Sequence, residues 1–258
     1  MNYLHVGLRD SSNLSEGRAI PCWSWREQAW SGGPRTLAAV TGSDTLIELA
    51  GVSVRAGAVQ ILRDVTLVVP PGETVGVFGA NGAGKTTLLR LLATLQPLAS
   101  GEGSVLGADL TTEARYEVRP RIGYVGHVPG LYPELTLAEN LAFTADTRGA
   151  GHDEAMEALA VVGLAGASTR LAERCSHGMQ RRAEFARVLL GSPDLLLLDE
   201  PHSALDPDAV DLVDAIVAQT VGRGGAAVLV SHDRERVANL SDRTLDIDGG
   251  TLSDGTIS

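Results

Sequence analysis

At 258 residues and 44% hydrophobic content, the chain can bury a large core, either as one α/β domain or as a core carrying an insert. Its net charge of -11 argues against non-specific binding to nucleic-acid backbones, and no run of eighteen apolar residues is present to span a bilayer. The two cysteines, Cys22 and Cys175, lie far apart and in no metal-ligand spacing, which fits a reducing compartment without a disulfide framework.

Residues 1–44 hold all three tryptophans, in CWSWREQAW (22–30), among loop-forming clusters with no sustained period. They lack the continuous apolar stretch of a secretory signal. The expectation is a flexible leader, or sequence upstream of the true start, ahead of a domain spanning 45–258.

From Thr45 the texture tightens. TLIELAGVSV and ILRDVTLVVP alternate as β-strands do, and PPGE turns into the short buried strand TVGVF. GKTTLLRLLATLQP then predicts a helix ended by Pro97. IGYV (122–125) is a further strand, followed by a turn-rich loop and a mostly helical stretch over 134–190. Within it DEAMEALAVVG (153–163) and MQRRAEFARVLLG (179–191) are each expected to stop at glycine, with Phe185, Val188 and Leu189 facing the core. DLLLLDE and AAVLVSH are apolar runs of the kind buried on both faces of a parallel sheet, and TLDIDGGTLSDG predicts a hairpin. Strand, glycine-rich loop, helical block and strands again imply an α/β core with a helical subdomain inserted at about 128–190.

GANGAGKT (79–86) satisfies G-x-x-x-x-G-K-[ST] after a strand and before a helix. Backbone N–H groups of Gly79, Ala80, Asn81, Gly82, Ala83 and Gly84 can converge on phosphate oxygens at the positive helix end, which Lys85, Thr86 and Thr87 open. Among 21 basic residues Lys85 is the sole lysine, at the position that needs a compact ammonium reaching the β- and γ-phosphates. Thr86 is positioned to hold Mg²⁺ through its hydroxyl. LLLLDEP (195–201) ends an apolar strand in Asp199, a second candidate for Mg²⁺, and Glu200, a candidate base for the attacking water. A phosphate loop alone leaves kinases, GTPases and many ATPases open, and the Asp199–Glu200 pair narrows them.

The stretch CSHGMQRRAEFARVLLGSPDLLLLDEPHSALD (175–206) resembles the signature region of ATP-binding-cassette (ABC) ATPases, and the resemblance covers about 46–250. It implies a P-loop NTPase core with an antiparallel β subdomain and an inserted helical subdomain, and ATP and Mg²⁺ as the cofactors. Cys175, Ser176, His177, Gly178 and Met179 occupy a degenerate signature, of which Ser176 and Gly178 suit a grip on γ-phosphate. Asp206 falls in the matching D-loop SALD, and His232 in VLVSHD occupies the switch-histidine position. By this resemblance Lys85, Glu200 and His232 are catalytic, and two subunits close head to tail over ATP, the pair expected to be a homodimer.

Where the family places Pro-Gln after IGYV, this chain has Gly126 and His127. His127 therefore stands in for the glutamine that reaches Mg²⁺ and water, an imidazole offering both a donor and an acceptor. YVGHVPGLYPELTLAENL resembles the ATPase of the haem exporter of bacterial cytochrome c maturation, with its G-H-x-P-G followed by a similar E-N-L stretch. Arg55, Ala56 and Gly57 stand where most transporters carry an aromatic against adenine. A metal or haem site built from His127, His177, His202 and His232 is disfavoured by their spacing, and His5 and His152 are expected at the surface.

Three functions are thus in view. The first is an ATPase peripheral on the cytoplasmic face of the membrane, driving a separately encoded permease of haem-export type. The others are a soluble ABC ATPase, such as one serving iron–sulfur cluster assembly, and a weakly hydrolysing regulatory module. The proline- and leucine-rich loop from His127 to Leu141 favours the first, and intact Lys85, Asp199, Glu200 and His232 disfavour the last.

Overall fold

The computed structural model describes residues 45–255 apart from Ala204 and Asp206, so the leader and the D-loop aspartate lie outside the described residues. The chain forms β1 (Ile47–Ala56), β2 (Val59–Val69), β3 (Thr74–Phe78), α1 (Lys85–Leu92), β4 (Ser100–Val105), β5 (Ala108–Asp109), α2 (Ala114–Glu117) and β6 (Ile122–Val125). It continues through α3 (Leu137–Arg148), α4 (His152–Val161), α5 (His177–Gly191), β7 (Leu195–Asp199), α6 (Pro207–Gly222), β8 (Ala226–Val230), α7 (Arg234–Leu240), β9 (Arg243–Asp248) and β10 (Thr251–Asp254).

Two sheets organise these elements. A four-stranded antiparallel sheet runs β2-β1-β4-β5, and a six-stranded sheet runs β10-β9-β3-β8-β7-β6. In the larger sheet every pairing from β9 to β6 is parallel, and β10 closes the edge as the antiparallel arm of the predicted hairpin. Its turn, Gly249–Gly250, has φ of 51° and 87°, which glycine adopts without penalty.

β3, β7 and β8 are buried at every residue, because α1, α6 and α7 pack on a sheet whose central strands see no water. Each leucine in the 0%-exposed run Leu195–Leu198 contributes about 1.5–3 kcal/mol by leaving solvent. β2 instead alternates buried Val65, Leu67 and Val69 with exposed Thr66 and Val68, as a strand with one wet face should. The alternation slips at Asp64, whose φ is +50°.

The helical block over 137–191 is built from α3, α4 and α5 packed on one another, with α5 also resting on β6. Its boundaries, and those of α1, depart from the sequence expectation at three points. α1 ends at Leu92, because Thr94 turns left-handed (φ 59°) before Pro97 is reached. α5 starts two residues early, at His177, since the Ser176 side chain caps it by accepting from the Met179 N–H. At its far end Gly191 stays helical, and Ser192 makes the left-handed exit at φ 39°. Phe185 and Val188 are buried as expected, but Leu189 is only half-buried and Leu190 takes the inward position.

The loop that leads into α3 is fastened both locally and to the backbone of Ala172 and Glu173, whose N–H groups donate to the Leu135 and Pro133 carbonyls. Thr136 and Glu139 form a reciprocal capping box. Asn140, only 3% exposed, accepts from the Tyr132 N–H and donates to the carbonyls of Tyr132, Leu135 and Thr136. The E-N-L residues thus have a structural task in shaping residues 132–136.

Candidate active site

In a parallel sheet the carboxyl ends of adjacent strands open onto one crevice. β3, β8, β7 and β6 lie side by side there, followed by the phosphate loop, Ser231–His232, Glu200 and Gly126–His127 respectively. The topology thus gathers groups drawn from a stretch of more than 100 residues, 79 to 232.

The phosphate loop is shaped by close approach. A Cβ on Gly79 would fall 2.3 Å from the Ile247 carbonyl oxygen, and Gly84 has φ of 115° with Leu62 Cδ2 only 2.9 Å from where its Cβ would stand. Gly84 caps α1 without a side chain, and the first turn carries no acidic residue. Its backbone amides therefore face an anion with the positive end of the helix behind them. Lys85 Nζ donates to the carbonyls of Gly79 (2.7 Å) and Ala80 (3.0 Å), which holds the ammonium within the loop. Ala80, Asn81 and Gly82 are exposed, Thr87 is half-buried, and Ala83 is buried against the core.

The Thr86 hydroxyl donates to Asp199 Oδ2 at 2.8 Å, joining α1 to the end of β7. A hydroxyl and a buried carboxylate in contact are hard oxygen donors few in number, the set Mg²⁺ accepts when phosphates and water complete its shell. The residues fit that ion.

Glu200 follows Asp199 in a left-handed conformation (φ 50°), with its N–H donated to the Val230 carbonyl. Its Oε2 accepts from the Ser231 hydroxyl (2.9 Å) and lies 2.9 Å from His232 Nδ1. Oε1 carries no hydrogen bond among the described residues. The hydrogen bond that His232 donates to the Glu200 carboxylate, reinforced by its charge, raises the pKa of His232 above its usual value. That shift makes the His232–Glu200 attraction fully present below the ordinary imidazole pKa of about 6.5 and removes it as pH rises through the elevated value. Glu200→Gln, which removes the charge, is expected to lower the His232 titration midpoint, followed by NMR, toward the ordinary value. An unmoved midpoint would show that Glu200 is not its cause.

His127 and Val128 are exposed at the crest of the loop after β6, and among the described residues no hydrogen bond ties His127 to Thr86, Asp199 or Glu200. Ser176 and Gly178 open α5, and among the described residues no hydrogen bond joins them to the phosphate loop of the same chain. Among the described residues no group of three or more His, Cys, Asp and Glu side chains is arranged to hold a metal ion. His202 instead contacts Asp214 at 3.0 Å. Sequence reasoning did not single out Ser231, which touches Glu200, or Arg181, whose guanidinium reaches the carbonyls of Gly126, Asp199 and Glu200. Ser231 lay within the VLVSHD stretch, whereas Arg181 was marked only as the first of two arginines in QRR.

A glycine-rich strand-to-helix turn, a lysine within it and a hydroxyl–carboxylate pair beside it define a P-loop nucleotide-binding domain. The ABC transporter family model matches residues 62–203, and the chain belongs to that family. It is 41% identical over 187 residues to the aliphatic sulfonates import ATP-binding protein SsuB 2 of Burkholderia cenocepacia, covering 72% of this chain and 67% of that one. It is 37% identical over 194 residues to the cytochrome c biogenesis ATP-binding export protein CcmA 2 of Cupriavidus metallidurans, covering 74% and 92%. Among solved structures, the dimeric MJ0796, a bacterial ABC transporter cassette, superposes with a TM-score of 0.73 at 25% identity, covering 81% and 98%. The protein is the ATP-binding subunit of a transporter, an ATPase that uses ATP with Mg²⁺ and couples its hydrolysis to transport. No helix among the described residues is long and apolar enough to cross a membrane.

Proposed function

We propose that this subunit drives a haem exporter of the cytochrome c maturation type, working as a head-to-tail homodimer peripheral on the cytoplasmic face beneath a separately encoded permease. The observation that carries the reading is the loop after β6, where Gly126 and His127 replace the usual Pro-Gln. The replacement has a steric counterpart: a Cβ on Gly126 would stand 3.0 Å from the Tyr124 hydroxyl. The match to a cytochrome c biogenesis export protein over 92% of that protein's length supports the same reading. An apolar surface beside the loop supports the permease: Val128, Tyr132 and Phe143 are 77%, 52% and 51% exposed, and the two rings meet edge to face at 5.5 Å.

In this reading the loop amides and Lys85 bind the ATP phosphates, and Thr86, Asp199 and His127 would hold Mg²⁺, which offsets phosphate charge when bound. A water attacks the γ-phosphorus as its bond to the β–γ bridging oxygen breaks, and the water's proton passes to Glu200 Oε1. His232, held by Glu200 through Nδ1, presents Nε2 to the γ-phosphate. Ser176, Gly178 and Asp206 meet the nucleotide of the second copy, and release of phosphate reopens the pair.

Deleting the gene in its native host is the test. Loss of c-type cytochromes on a haem-stained gel, restored by the intact gene and not by Glu200→Gln, is expected. Unchanged cytochromes together with lost growth on an alkanesulfonate as sole sulfur source would replace haem export by sulfonate import.

A further inference from the structure

One buried cation takes no direct part in binding or hydrolysis. Arg181 is 3% exposed, on the helix that Ser176 opens, and among the described residues it pairs with no carboxylate through a short ion pair. Its guanidinium is spent on backbone carbonyls. Nη1 donates to Gly126, the residue before His127, while Nη2 donates to Asp199 and, at 2.8 Å, to Glu200. Those acceptors belong to two separate strand ends, after β6 and after β7. One planar fork can bridge them at once, which a lysine ammonium on its flexible stem does less well.

The same helix grips the loop a second time. The Gly130 N–H donates to Glu184 Oε1 (2.9 Å), and Arg187 Nη1 donates to the Gly130 carbonyl (3.0 Å) and to Glu184 (2.8 Å). Residues 126 and 130 are therefore both fastened to α5, and His127 and Val128 are the exposed crest between two fixed feet. On the other side, Glu200 is a non-glycine residue at φ +50°, a costly conformation that persists only where its surroundings determine it. Its N–H is fixed by Val230 and its carbonyl by Arg181.

We infer that Arg181 is a positioning residue, locking the His127 loop and the Glu200 strand end into one body that moves with the helix opened by Ser176. Closure of a second subunit's nucleotide onto Ser176 would then reach Glu200 and His127 through a single side chain rather than through the sheet. The inference rests on the roles proposed above for Ser176, His127 and Glu200.

The test compares hydrogen–deuterium exchange and ATPase kinetics of the full chain with those of Arg181→Met and Arg181→Lys. In Arg181→Met, amide exchange over 127–131 and 200–203 is expected to rise by about tenfold, the loss of a charge-assisted hydrogen bond at each end. Exchange in β3 and α3 should hold, and kcat should fall about tenfold with the KM for ATP within roughly twofold. Arg181→Lys, which keeps the charge and part of the bonding, should lie between the two, and it carries the test should the methionine variant fail to fold. Unchanged exchange in either segment overturns the inference, as does an even rise through the whole chain, the mark of a merely structural residue. Glu200→Gln measured alongside separates the claims: raised exchange in Arg181→Met with turnover surviving in Glu200→Gln would overturn the assignment of Glu200 and uphold the clamp.

Discussion

Replacing Glu200 with glutamine is expected to lower ATP turnover by about 10²- to 10⁴-fold while leaving ATP affinity within a few-fold of the original. The separation comes from the contacts. Lys85, the loop amides and Thr86 lie on α1 and the loop before it, whereas Glu200 lies across the crevice at the end of β7. Glutamine keeps an oxygen to accept from Ser231 and His232, so the local hydrogen bonding survives. What it loses is the carboxylate Oε1 proposed to take the proton. Single-turnover hydrolysis and equilibrium binding of ATP check both halves. Turnover within tenfold of the parent would mean that another group accepts the proton.

The second large effect is at the sole lysine. Lys85→Arg is expected to weaken ATP binding by about 10- to 100-fold, the worth of one charge-assisted hydrogen bond. The charge is conserved, so the cost is geometric. Nζ sits as a compact donor against the carbonyls of Gly79 and Ala80, inside a loop where Gly79 already touches Ile247 and Gly84 touches Leu62. A planar guanidinium needs more width than that loop leaves. Isothermal titration with ATP measures the change, and an affinity within threefold of the parent would contradict it.

The phosphate loop was legible because its chemistry is local: glycine spacing, a lysine and a hydroxyl within eight residues predict an anion cradle wherever a strand runs into a helix. Strands β3, β7 and β8 were equally plain as short apolar runs. Other parts were hidden for physical reasons. β4, read as SGEGSV, has two glycines and no alternation, and it exists because β1 pairs with it. α1 ends short of the left-handed Thr94, whose hydroxyl and carbonyl are both held by the Arg119 guanidinium. That is a tertiary effect, and a helix-forming run up to Pro97 does not announce it. Arg181 reads as one of several charges on a helix, ordinarily a solvated face. Only the fold brings three carbonyls to it and makes it a core residue.

Residues 132–140 are fastened within the helical block: the Thr136–Glu139 box and the Asn140 bonds close within eight residues, and backbone hydrogen bonds tie Pro133, Leu135, Leu137 and Ala138 to the stretch 168–173. Tyr132 and Phe143 project from a segment braced by the helical block, while the nucleotide crevice is assembled from the ends of the sheet's strands. The chain therefore divides its freedom to vary. If that outward surface receives the permease as proposed, its side chains can be exchanged without retuning the crevice, and one engine can be fitted to new partners by altering a coupling a few residues wide.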